Sequence, residues 1–267
     1  IDTANMYSAW APGHTGGESE SVIGTWLKKR GRRDDVIIGT KVGKPMADGL
    51  KGLAKDYVLR AVEDSLARLQ TDYIDLYWAH EDDLTQPVEA PLETFGALIR
   101  AGKVRVIGAS NFGAARLDAA LAAGGRNGLP RYEALQPEYN LVARKEFESE
   151  LQPVCRKHGI GVVPYFALAS GFLTGKYRSE KDLAKSVRGE DIAGYLDARG
   201  LGILAALDAV AARHGATPAQ VAIAWLMART TAPIASATSP AQLADILKSA
   251  ELRLDAADLA ALDTASA

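Results

Sequence analysis

The chain has little of what marks several large functional classes. It carries one cysteine, Cys155, in 267 residues. A lone thiol excludes an internal disulfide and fits a reducing, cytoplasmic compartment. Charge of one sign is also lacking: 31 Lys and Arg against 33 Asp and Glu leave a formal net charge of -2. Without a basic stripe, nucleic acid is not an expected partner. No apolar run reaches the roughly 18 residues of a membrane span, so no membrane partner is expected. The histidines His14, His80, His158 and His214 stand far from one another and from Cys155, without metal-ligand spacing. What remains is 48% hydrophobic and 24% charged, a globular composition, on a chain long enough to bury a sizeable core.

Short β-branched runs alternate with helical patterns. The runs fall at 36–41, 73–80, 104–110, 134–140, 161–166 and 232–238, and residues 1–4 read as the end of another. Their continuous hydrophobicity predicts parallel strands covered on both faces. In 55–70, Val58, Val62, Leu66 and Leu69 recur at helical spacing, and in 88–101 so do Leu92, Phe95 and Leu98, with Gly102 as the C-terminal stop. Two later helices open alike, on Thr217-Pro218-Ala219-Gln220 and Ser239-Pro240-Ala241-Gln242: a hydroxyl cap, a proline and a glutamine. A strand and helix repeated seven times in one domain, 1–267, indicates an α/β fold, either a (β/α)8 TIM barrel or a doubly wound sheet. An eighth βα unit of roughly 30 residues or more would complete the barrel, so the start on Ile1 reads as a barrel apparently lacking its first unit. The longest stretch without a periodic pattern, 175–198, is expected to be a functional loop.

Barrel chemistry gathers at the carboxyl ends of strands. The ends here carry Asp2, followed by Tyr7, then Lys41, His80, Ser110 with Asn111, and Gln136. Each has an ordinary structural reading by itself: a solvated lysine, a packed histidine, a turn aspartate, a rim tyrosine. The joint pattern is not required by packing. A phenol gives up its proton near pH 10, and a neighbouring ammonium favours the phenolate. A buried ammonium needs a counterion, such as a carboxylate. A neutral imidazole can hydrogen-bond a carbonyl oxygen. Such a set polarises a carbonyl and delivers a proton to it. No side chain donates a hydride, so a nicotinamide cofactor is implied.

The motifs IDTANMYS, IIGTKVG, SLARLQTDYIDLYWAHEDD, ALIRAGKVRVIGASNF, LQPEYN and GFLTGKY, in this order, resemble the aldo-keto reductase family over nearly the whole chain. The chain looks more like the bacterial reductases and the potassium-channel β-subunits than the mammalian aldose reductases. The resemblance implies a (β/α)8 barrel that binds NADPH without a Rossmann domain and reduces a small-molecule carbonyl substrate. It implies Tyr7 as proton donor, Lys41 as the cation beside it, Asp2 as the partner of Lys41, and His80 as the residue that orients the carbonyl. It places Ser110, Asn111 and Gln136 at the nicotinamide carboxamide and Tyr165 on the nicotinamide face. A strap over the pyrophosphate would run from Gly171 to Lys176, with Leu168 and Ser170 at its base. Ser236, Thr238, Gln242 and Asp245 match adenosine-phosphate contacts.

The chain also departs from the family pattern. It reads Tyr165-Phe166-Ala167-Leu168 where relatives have YSPL, and Asp245-Ile246 where many have Glu-Asn. No Lys or Arg lies in 235–247 for a 2′-phosphate. Arg188 resembles a long-loop arginine that serves this purpose in some relatives, and NADH stays open as the cofactor. Trp10 is a substrate-pocket candidate, Trp78 is expected in the core, and Glu81 and Asp82 are expected at a solvated rim. The main functional reading is an NADPH-dependent reductase of aldehydes or ketones. The alternatives are an NADP(H)-binding regulatory subunit with slow turnover, and a barrel aldolase or isomerase using Lys41 as a Schiff base.

Overall fold

Most of the apolar runs become short strands, trimmed where a proline lacks the amide or a side chain takes a backbone hydrogen bond. The computed structural model describes residues 1–126, 128–185 and 189–267. These form two compact units, residues 1–136 with 154–160, and residues 137–153 with 161–267.

The first unit runs α1 (Glu18–Arg30), β1 (Gly39–Val42), α2 (Lys55–Leu69), β2 (Ile74–Ala79), α3 (Glu89–Arg100), β3 (Val104–Ser110), α4 (Ala114–Ala123), β4 (Ala134–Gln136) and most of α5 (Gln152–His158). Strands β1 to β4 lie side by side in chain order, all parallel. Residues 1–5 extend this ladder at the β1 side. The Gly39 amide donates to the Ile1 carbonyl at 2.8 Å, that of Thr3 to Gly39 at 2.9 Å, and that of Asn5 to Lys41 at 3.1 Å. The register sets Lys41 beside Trp78, Trp78 beside Gly108, and Ser110 beside Gln136. Parallel neighbours share a face, so side chains distant in sequence are stacked in one layer.

β1 starts three residues later than its apolar run because the amide of Ile38 goes to the Asp75 carboxylate at 2.9 Å. β4 ends at Gln136 because Pro137 has no N–H to offer. Helix α3 closes as its glycine predicts: Gly102 adopts φ +72°, its amide donates to the Ile99 carbonyl at 2.9 Å, and that of Lys103 donates to Leu98 at 3.1 Å. Below the first turn of α1, the fully buried Glu20 accepts from Thr40 of β1 and from Arg68 of α2 at 2.7 Å, which fixes both elements against α1.

Tyr77 packs edge-on against Phe95 of α3, with ring centroids 5.7 Å apart, and Phe95 in turn meets Tyr132. Trp78, the next residue along β2, points to the opposite face. It is buried, as expected of a core residue, and its indole crosses Gly108 so closely that a Cβ there would lie 2.3 Å from the ring.

The second unit contains β5 (Gly161–Val162), α6 (Gly189–Ile192), α7 (Ala198–His214), α8 (Pro218–Met227), α9 (Pro240–Leu247) and α10 (Ala256–Ser266). Pro164 interrupts the run 161–166, which resumes as a single bridge between Tyr165 and Glu138. The expected strand 232–238 is not a strand. Thr231 and Ile234 donate to Val162 and Pro164 at 2.9 Å each, but Pro233 between them breaks the ladder. The stretch 175–198 is not bare loop either: it holds short helical turns at Glu180–Lys185 and Ala193–Tyr195 around α6. Thr217 and Gln220 form the full reciprocal cap of α8. Ser239 caps α9 through the Gln242 amide, but the Gln242 side chain turns to the Thr238 amide and hydroxyl, both at 2.9 Å, so that cap is half formed.

Replacing Gly108 by Ala forces a methyl group into the Trp78 indole. The expected result is a loss of about 1–3 kcal/mol in stability, read as a lower urea midpoint with an unchanged slope.

Candidate functional site

Four polar residues predicted from strand ends come together in the first unit. Lys41 lies on the same face of β1 as Trp78 on β2 and is wholly buried. An ammonium offers three donors, and all three are used. Nζ donates to Asp2 Oδ2, to the Thr3 carbonyl at 2.7 Å and to the Tyr7 hydroxyl at 2.9 Å. The other Asp2 oxygen accepts from Gln136 Nε2 at 3.0 Å. Tyr7 reaches Lys41 because the chain leaves the 1–5 ladder in consecutive tight turns. The Tyr7 amide donates to Ala4, that of Ala9 to Met6, and Ser8 takes φ +78°.

His80 follows β2 directly, its amide donating to the Val42 carbonyl at 2.8 Å. Its ring centroid lies 6.0 Å from that of Tyr7, with the planes at 71°. Only 6% of its surface is exposed. Burial, followed by the charges of Lys41 and Lys44, pushes its pKa down to about 2. The imidazole is therefore neutral at ordinary pH, and Nδ1 has no hydrogen-bond partner among the described residues. Asn111, in a left-handed conformation at φ +55°, donates to the His80 carbonyl at 2.8 Å and to Ser110 Oγ at 3.1 Å. Ser110 Oγ donates to the Gln136 carbonyl at 2.9 Å. Asp2 and Lys41 are thus joined to Gln136 and Ser110 across three parallel strands.

Three contributors were not legible from residue type. The Thr3 carbonyl is backbone. Trp78 Nε1 is buried without a partner among the described residues, and it lies 3.0 Å from the point a Cβ on Gly39 would occupy, with Asp2 Oδ1 3.5 Å from that same point. The indole nitrogen and the carboxylate oxygen therefore both lie close to the bare backbone of Gly39. Asp82 is not a solvated rim charge: it takes two guanidinium bonds from Arg116 of α4, at 2.7 and 2.8 Å, and so pins the segment after His80. Glu81 is exposed as expected. Trp10 is exposed and meets the Tyr7 ring edge-on at 6.0 Å.

The second unit carries the remaining candidates. Tyr165 packs edge-on with Phe166 at 5.1 Å. Phe166, Ala169, Ser170 and Gly171 all have positive φ, so the backbone around Leu168 coils tightly. The Lys176 side chain passes over Gly171, with Nζ 3.6 Å from where a Cβ would sit. A bare glycine with an ammonium alongside fits an anionic group such as a phosphate. Ser236 and Thr238 precede α9. Asp245 accepts from Gln220 Nε2 at 2.8 Å and from Thr217 Oγ1 at 3.3 Å, which ties α9 to the cap of α8. Arg188 lies outside the described residues.

Two measurements check the electrostatics. Asp2→Asn leaves the buried ammonium without its counterion and should cost about 3–5 kcal/mol in chemical denaturation. The depressed pKa of His80 means that the unfolded chain takes up its proton first as pH falls through 6.5. The native state should therefore weaken below pH 6.5, and His80→Gln should flatten that loss by up to about 1.4 kcal/mol per pH unit.

Comparison with known proteins agrees with this geometry. The sequence pattern of the Aldo/keto reductase family matches residues 1–267. The chain is 35% identical over 264 residues to the uncharacterized oxidoreductase YrpG of Bacillus subtilis, covering 96% of this chain and 78% of that protein. It is 30% identical over 270 residues to a probable voltage-gated potassium channel subunit beta of Arabidopsis thaliana, covering 94% of this chain and 77% of the other. Among solved structures, a thermostable aldo-keto reductase in complex with the inhibitor epalrestat superposes with a TM-score of 0.78 at 29% identity, covering 99% of this chain and 81% of that one. The fold class is the α/β TIM-barrel type of that structure, and the activity class is oxidoreductase action on carbonyl compounds with a nicotinamide dinucleotide. A phenol, ammonium, carboxylate and neutral imidazole gathered at strand ends, together with a family match over every residue, place this chain in the aldo/keto reductase family.

Proposed function

We propose that the chain reduces aldehydes or ketones to alcohols with NADPH, and that Tyr7 gives the proton. The observation that carries this reading is the 2.9 Å bond from Lys41 Nζ to the Tyr7 hydroxyl, made by an ammonium whose other donors go to Asp2 and the Thr3 carbonyl. A reduced nicotinamide, when bound, supplies the hydride that the carbonyl carbon accepts.

The chain's own residues do the rest. As negative charge grows on the carbonyl oxygen, Tyr7 transfers its hydroxyl proton there, and Lys41 stabilises the phenolate left behind. Asp2 holds the ammonium in place and Gln136 holds Asp2. Neutral His80 orients the carbonyl without adding positive charge. Ser110, Asn111 and Gln136 are the candidates for the carboxamide of the cofactor. In the second unit, Tyr165, Leu168, Ser170, Gly171, Lys176, Ser236, Thr238, Gln242 and Asp245 are candidates for dinucleotide contacts. With no Lys or Arg in 235–247, NADH is the alternative donor. The lone buried Cys155 suits a cytoplasmic, reducing setting.

Tyr7→Phe keeps the ring and removes the proton. Oxidation of NADPH by a panel of aldehydes should fall at least about a hundredfold, the usual contribution of a positioned acid, while cofactor binding measured by fluorescence stays intact. Equal turnover in the variant would remove Tyr7 from this role. Tight NADPH binding with negligible turnover in the unaltered chain would favour a regulatory subunit instead.

A further inference from the structure

A positive charge drawn partly out of water is costly unless a negative group meets it. Among the described residues, the buried and half-buried Lys and Arg side chains follow this rule with one exception. Lys41 has Asp2, Arg33 has Asp75, Arg68 has Glu20 and Arg116 has Asp82. Lys103, Arg131, Arg144 and Arg229 each have a carboxylate partner as well. Lys44 is half-buried and has neither an ion pair nor a hydrogen bond among the described residues.

The backbone sets where this cation stands. β1 ends at Val42, whose carbonyl accepts the His80 amide at 2.8 Å. Gly43 follows, and a Cβ there would lie 3.7 Å from the backbone nitrogen and oxygen of Glu81. The loop 43–52 is closed at its neck by the Gly52 amide, which donates to the Gly43 carbonyl at 2.7 Å. Asp83 anchors the next residue by accepting the Leu53 amide at 2.9 Å. Lys44 thus leaves a fixed neck that runs beside residues 80 and 81. It is near enough to His80 for its charge to act on the ring, together with that of Lys41.

The carboxylates of the neighbouring segments are engaged elsewhere or stand in solvent. Asp48 accepts the Leu50 amide at 3.0 Å, Asp82 is held by Arg116, and Asp83 accepts from Leu53, Thr85 and Gln86. Glu81 is exposed and makes no ion pair among the described residues. On the Tyr7 side, residues 3–17 hold no Asp or Glu. The site therefore has one cation whose counterion must come from outside the chain. A carbonyl that takes the Tyr7 proton stands next to His80, and a carboxylate on a short chain from that carbonyl can reach Lys44. Their contact is a charge-assisted hydrogen bond, roughly twice as strong as a neutral one.

We propose that Lys44 binds the carboxylate of the substrate and selects short-chain oxo acids over neutral carbonyl compounds of the same skeleton. The inference rests on the proposed function, with Tyr7 as proton donor.

The test compares 4-oxobutanoate and 5-oxopentanoate with their methyl esters in the unaltered chain, Lys44→Met and Lys44→Arg. In Lys44→Met the ratio of kcat/KM for acid over ester should fall by about tenfold for at least one pair, through KM rather than kcat. Lys44→Arg, which keeps the charge, should retain most of the ratio. The urea midpoint of Lys44→Met should not fall, because no internal partner is lost, whereas a structural lysine would lower it. A ratio within about twofold of the unaltered chain for both pairs would overturn the proposal. So would weaker NADPH binding in Lys44→Met, which would assign the lysine to the dinucleotide. A second readout needs no turnover: calorimetric binding of 4-hydroxybutanoate in the presence of NADP+ should weaken about tenfold in Lys44→Met. If the unaltered chain reduces none of the four compounds, the proposed function fails and this binding decides alone. The weakening supports the carboxylate site, and equal affinity or no binding to the unaltered chain refutes it.

Discussion

The first unit is organised around one buried cation. An ammonium withdrawn from water is tolerated only when every donor is met and a negative charge stands beside it. Lys41 meets both conditions, with Asp2, the Thr3 carbonyl and the Tyr7 hydroxyl as its partners. These come from the segment 1–5 and the turn that follows it, so seating the lysine also seats the start of the chain against β1. The constraint then spreads along the sheet, from Asp2 to Gln136 and from Gln136 to Ser110. A stability requirement and a chemical arrangement are met by the same bonds.

His80 shows how burial sets a protonation state. Burial of the ring, and then two lysine charges, keep the imidazole neutral. A neutral ring can donate or accept a hydrogen bond beside Tyr7 without competing with Lys41 for the phenolate. The ring stays in place because its backbone is held from both sides. Val42 accepts its amide, and Asn111 caps its carbonyl from a left-handed conformation that few residue types adopt readily. The Arg116 clamp on Asp82 holds the next segment in turn. Each of these is an ordinary hydrogen bond, and their joint effect is to position a group whose own polar atoms remain available.

The second unit follows a different logic, in which proline and positive φ shape the backbone. Pro164 and Pro233 shorten what apolar composition alone predicts as strands. Between Phe166 and Gly171 four residues adopt positive φ, an arrangement with a backbone cost of roughly 1–3 kcal/mol at each non-glycine position. Asn140 contributes to holding it, donating to the Phe166 carbonyl at 3.1 Å. The turn leaves the large side chain of Phe166 53% exposed.

The sequence by itself determined the α/β alternation, the helix at 55–70, the glycine stop at 102 and the Thr217 cap, because each rests on neighbours within a few residues. It also named Asp2, Tyr7, Lys41 and His80, since polar residues that end apolar runs stand out locally. Tertiary structure decided how far each strand extends, through Asp75 at Ile38 and through prolines whose missing amide matters only once a partner strand is present. It decided that Asp82 is clamped rather than solvated, because Arg116 of α4 comes to lie beside it, and that Trp78 sits between Lys41 and Gly108, because the register of β1, β2 and β3 puts them side by side. Residue type and spacing are local quantities. Register, burial and the identity of the opposing atom arise only when distant segments are brought side by side.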